Sequence, residues 1–130
     1  MDTQNNGLFW QKLDILYYSS ELVITKAKGT RHDVYDNLIY PVDYGYLKDT
    51  STETEEHIAI YKGSNDDGRI DKVVVCVDIL KKDIEVKLLL NCTSKETNDI
   101  LRFLNQTDFQ KSIIVSRGHS IPSWAVKNDD

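Results

Sequence analysis

Residues 70–92 read IDKVVVCVDILKKDIEVKLLLNC, and this stretch decides the fold. Its first part, 70–80, is nearly all Val, Ile and Cys in the middle, the pattern of a buried strand. Lys81-Lys82 turns the chain, and 83–92 forms a second strand. In that second strand Asp83, Glu85 and Lys87 fall at i, i+2 and i+4, on one face at intervals of about 6.8 Å. Val86, Leu88, Leu90 and Cys92 occupy the other face. One strand is therefore apolar on one side and acid, acid, base on the opposite side.

Working outward, 57–62 alternates as a strand, and SNDDG at 64–68 is a turn because Asp-Gly favours positive φ. Residues 48–56 (KDTSTETEE) hold no apolar side chain and form a surface loop. Residues 38–47 are aromatic-rich but contain Pro41 and Gly45, so they read as an edge, a bulge or a bent strand. An irregular loop fills 26–37, and ELVIT at 21–25 is a short strand. Phe9, Leu13, Leu16 and Tyr17 make one apolar stripe of an N-terminal helix that ends near Ser19-Ser20. Downstream, Thr93 with Glu96 is a capping-box pattern. The helix it opens carries Thr97, Ile100, Leu101 and Leu104 on one face. A last strand covers 112–117, and the tail 118–130 is expected to be loose.

The order predicts a mostly β protein with helices (α+β). Its centre is a small OB-like antiparallel barrel or curled sheet of about five to six strands, with an N-terminal helix and one helix in the C-terminal half. A chain of 130 residues fits one domain, 1–130. The net charge of −5 argues against nonspecific nucleic-acid or anionic-membrane binding, so neither partner is expected. Cys76 and Cys92 sit in apolar runs without CxxC spacing and read as core residues. With no secretory pattern at the start and no apolar run long enough to span a bilayer, a cytoplasmic setting is the default.

Two constellations can carry chemistry. Asp83 and Glu85 can hold a hard cation through oxygen, with Lys87 beside them as a point charge for a phosphate oxygen; the structural alternative is a solvent-facing edge whose charges aid solubility. In YPVDYGY (40–46), Tyr40, Tyr44 and Tyr46 point the same way in an extended chain. Their hydroxyls can serve phosphate oxygens, or they can pack at a barrel rim.

The YPVDYGY segment resembles the YPxxYGY signature of the soluble inorganic pyrophosphatases. Residues 22–25, 57–62 and 83–87 follow in that family's order, and the helix with Phe9-Trp10 and Leu13-Asp14 is similar to a shortened bacterial subgroup. The resemblance covers about 8–117. It implies Mg²⁺- or Mn²⁺-dependent hydrolysis of pyrophosphate, or of another small phosphoanhydride, to phosphate. Glu85, Asp83 and Glu56 would be metal ligands, with Glu55 an equal substitute for Glu56. Tyr44, Lys87 and Asp43 would be catalytic. Arg31, or equally His32, would bind substrate together with Lys87 and Tyr44. Three departures stand out: Thr25, Thr54 and Ala59 occupy positions where the resemblance implies carboxylates. The alternative is thus a non-catalytic phosphate-, metal- or partner-binding module on the same fold. A homo-oligomer is left open by the 40–46 edge and the apolar helix faces.

Overall fold

The computed structural model of the protein describes residues 5–125. Its elements are α1 (Gly7–Tyr18), β1 (Glu21–Lys26), β2 (Asp43–Lys48), β3 (Ile58–Lys62), β4 (Ile70–Asp78), β5 (Asp83–Leu90), α2 (Ser94–Leu104) and β6 (Gln110–Ser116). A short 3-10 turn follows at Ser123–Ala125. No helix among the described residues is long and apolar enough to cross a membrane.

The six strands form one sheet in the order β1-β2-β3-β5-β4-β6. This is the expected α+β sheet with two helices, but it is open, with β1 and β6 at its edges. It is also mixed. β3 and β5 run parallel, with Ile60 opposite Leu88 and Lys62 opposite Leu90, whereas the other neighbours are antiparallel. The reason lies in Leu88-Leu89-Leu90, a continuous apolar run with all three side chains buried. Such a run needs cover on both faces, as parallel strands do. It therefore takes the interior place beside β3, and β4 moves one place outward.

Alternation sorts the apolar side chains into two cores. On one face α1 lays Trp10, with Leu13 and Tyr17, over Leu47, Ile60, Ile70, Val73, Leu88 and Leu90. On the other, α2 brings Ile100 and Leu104 against Tyr40, Val42, Tyr61, Val74, Cys76 and Leu89. The first helix is capped by Asn6, whose side chain accepts from the Phe9 N–H at 3.1 Å. Trp10 is fully buried and donates its indole N–H to Asn5 Oδ1 at 2.7 Å. The capping box at the start of α2 is complete, with Thr93 and Glu96 each accepting the other's backbone N–H.

The irregularity expected within 38–47 falls on the facing strand instead. β1 shifts register between Ile24 and Lys26, opposite Gly45 and Tyr44. Thr25 is the extra residue of this bulge. Gly45 is needed because β1 passes so closely: a Cβ there would lie 1.8 Å from the Val23 carbonyl oxygen. Pro41 precedes β2, so no ladder donor is lost.

Within the tail, the Ser120 carbonyl accepts from the Gly7 N–H at 2.9 Å and Pro122 is fully buried. Residues 126–130 of the expected loose tail lie outside the described residues.

Candidate functional site

The charged face of β5 turns inward, on the α2 side of the sheet. Glu85 pairs with Cys76 and Lys87 with Val74, both core positions. The Glu85 and Lys87 side chains are each only 12% exposed. Their apolar neighbours Ile84 and Val86 are 66% and 43% exposed. α1 packs over Val73, Leu88 and Leu90 on that outer face, and Ile84 and Val86 lie beyond it. A solvent-facing charged edge is therefore not what this strand presents.

Tyr44 lies on the same inner face, opposite Tyr61. Its hydroxyl accepts from Lys87 Nζ at 3.1 Å, and the ammonium sits 5.3 Å from its ring centre. Lys87 Nζ is also 3.4 Å from Glu85 Oε1. Burial is the strongest influence on Lys87 and opposes its charge. Tyr44 and Glu85 together outweigh burial and hold the ammonium above the ordinary lysine range. Lys87 is thus a fixed cation at neutral pH.

Beside this pair opens a hollow of about 350 Å³, bordered by Tyr44, Tyr46, Glu55, His57, Lys81 and Glu85. Glu55, Asp83 and Glu85 each offer a carboxylate oxygen within 4.8 Å of the others. Lys81 Nζ spans two of them, 3.5 Å from Glu55 and 3.6 Å from Asp83. Partial burial works against the Lys81 charge, but Asp83 and then Glu55 raise its pKa above the usual value. Tyr46 stacks on His57 at 4.4 Å, and His57 Nδ1 is buried without a hydrogen-bond partner. Neither thiol competes for chemistry: burial raises the pKa of Cys76 and, most of all, that of Cys92, to about 12.

Of the residues singled out from sequence, the fold brings Tyr44, Lys87, Asp83 and Glu85 together. Glu56 borders the hollow but is exposed, and its neighbour Glu55 is the one that joins the carboxylates. Asp43 stands one residue out of phase with Tyr44, and its carboxylate accepts the Lys28 N–H at 2.9 Å. Arg31 is exposed in the 27–42 loop, donating to the Asp36 carbonyl at 2.9 Å. Its alternative, His32, borders a second cavity together with Tyr44 and Lys87. Ala59 and Thr25 border the hollow and add no charge to it. Thr54 is exposed and donates its N–H to Thr52 Oγ1. Sequence reasoning missed Lys81, read only as a turn residue, although it shares strand parity with Asp83 and Glu85. It also passed over His57, whose place depends on the 49–57 loop.

No protein-family model matches this chain, and no curated protein matches it. The donor set itself fits a hard divalent cation, which takes oxygen ligands and tolerates neighbouring carboxylates of like charge. Glu55, Asp83 and Glu85 are the residues that would hold it.

Proposed function

We propose that this chain is a divalent-cation-dependent hydrolase that converts pyrophosphate, with one water, to two phosphates. The observation that carries the reading is that Glu55 and Glu85 border one hollow with Lys87 and Tyr44, and that the Asp83 carboxylate lies within 4.8 Å of both acids. The resemblance of YPVDYGY and of the 83–87 strand to the soluble inorganic pyrophosphatases supports the same chemistry. Mg²⁺ or Mn²⁺, when bound, would polarise the phosphoryl oxygens and lower the pKa of the attacking water.

The chain's own residues would do the rest. Lys87, charged and nearly buried, would attract a phosphate oxygen as a point charge in a medium where that attraction is strong. Tyr44 would keep the ammonium in place and offer its hydroxyl to the same group. Lys81, at the border of the hollow, would add a second positive charge toward the substrate's phosphates. The two free thiols suit a reducing, cytoplasmic setting.

A second reading is favoured by Ala59 and Thr25, neutral residues at the edge of the hollow. With only three carboxylates, the site would bind metal and phosphate without turnover. Phosphate release from pyrophosphate, measured with Mg²⁺ and with Mn²⁺, separates the two. Turnover that Glu85→Gln lacks supports the enzyme. No turnover with either ion, alongside retained pyrophosphate binding, supports the binding module.

A further inference from the structure

The second cavity, of about 140 Å³, shares two of its walls with the carboxylate hollow: Tyr44 and Lys87 border both. Most of its other walls are rings, chiefly His32, Tyr35, Tyr40, Phe103 and Phe109, with Leu38 and Thr107 among the rest. Tyr40 stacks on Tyr44 at 5.5 Å and lies tilted against Phe103 at 4.9 Å, so these rings support one another. His32 is oriented by its backbone contacts: Nδ1 accepts from the N–H groups of Val34 and Tyr35 at 3.1 and 3.3 Å. That assigns the ring proton to Nε2, which is left as a donor. One compartment is thus aromatic with a histidine donor, the other is anionic with two lysines, and a buried ammonium stands between them.

We propose that the substrate class of this site is a phosphoanhydride carrying a single-ring aromatic base, a pyrimidine nucleoside diphosphate, with its base in the ring-lined cavity and its diphosphate in the hollow. This rests on the phosphate reading above and extends it. The size suits a single ring: about 140 Å³ of space is close to the volume that holds benzene in a protein interior, and a purine would project beyond it. The lining sets the chemistry: rings stack on a base, and its carbonyl oxygens can accept from His32. In the hydrolysis, water adds to the terminal phosphorus and the bridging P–O bond breaks, leaving nucleoside monophosphate and phosphate.

The test is calorimetric binding, in Mg²⁺, of uridine diphosphate, adenosine diphosphate, methyl diphosphate and pyrophosphate, each with a methylene in place of the bridging oxygen so that none is hydrolysed. Uridine diphosphate should bind on the order of tenfold more tightly than methyl diphosphate, the value of one stacked ring. Adenosine diphosphate should gain nothing over methyl diphosphate. Thr107→Trp, which fills the ring cavity from its border, should abolish the uridine advantage and leave pyrophosphate binding unchanged. Phe103→Ala should act in the same direction, and the filling variant serves if that one fails to fold. Equal binding of uridine and methyl diphosphates, with pyrophosphate still bound, overturns the base site and spares the phosphate reading. Equal binding of the adenine and uracil nucleotides overturns the single-ring assignment. Binding of none of the four ends both readings.

Discussion

Two charged pairs, one at each helix-covered face of the sheet, look alike in burial and differ in everything else. Arg117 and Asp14, 11% and 22% exposed, join the end of β6 to α1. Their contact is two-pronged, at 3.1 and 2.9 Å, and both partners also bond the backbone of Ile70. Lys87 and Glu85, each 12% exposed, touch at one point only, at 3.4 Å. A Glu85 oxygen lies within 4.8 Å of one from Glu55 and one from Asp83, and Lys87 borders two cavities. A bidentate pair tied to the backbone through both partners is held in one geometry and acts as a clamp. A single contact beside open space leaves valence for a guest.

The sharpest way to break this contrast is Glu85→Gln. Metal-dependent phosphate release should fall about 100-fold or more, while stability changes by less than about 1.5 kcal/mol, because the amide oxygen can still accept from Lys87. A loss of stability comparable to that of a clamp variant, in urea melts, would put Glu85 in the structural class. Next is Arg117→Ala. It leaves Asp14 partly buried without its partner and should cost about 3 kcal/mol, with phosphate release per folded molecule unchanged. A fall in specific activity would show that the clamp reaches the site.

Acid separates the two pairs as well. Burial alone would raise the Asp14 pKa, but the hydrogen bonds from Arg117 and Ile70 outweigh it and hold it below 3.8. A depressed carboxylate contributes its stability above the unfolded pKa and loses it as pH falls through the folded value. Stability should therefore decline below about pH 4. Glu96, whose pKa is also lowered against its burial by the Thr93 and Ser64 N–H groups, adds to that decline. The difference between wild type and Arg117→Ala across pH 5 to 2 isolates the Asp14 share, and parallel curves would deny it. The smallest effect is Thr93→Ala, about 1 kcal/mol from one lost helix cap, read as a small drop in melting temperature on the α2 side with no change in the clamp.

Much of this was legible in the residues because the signals are local. The capping box at Thr93 and Glu96, the apolar run read at 70–80 whose strand ends at Asp78, and the positive φ of Gly68, 73°, need no distant partner to be read. Tyr44, Asp83, Glu85 and Lys87 were legible too, since alternation alone puts the last three on one face. Lys81, His57 and the choice of Glu55 over Glu56 were not. Their places depend on how the 49–57 loop and the β4–β5 turn meet across the sheet, and no spacing encodes that.

The sequence by itself determined the elements, the cap of α2 and the division of β5 into a charged and an apolar face. Which face turned inward was decided only by tertiary structure. Alternation defines two sides of a strand but is silent on which one meets water. Here α1 stops short of Ile84 and Val86, while Tyr44, Tyr61 and Val74, distant in the chain, supply the neighbours that enclose Lys87. The open mixed sheet was settled the same way, when Leu88-Leu89-Leu90 required cover on both faces and drew β5 into the place beside β3.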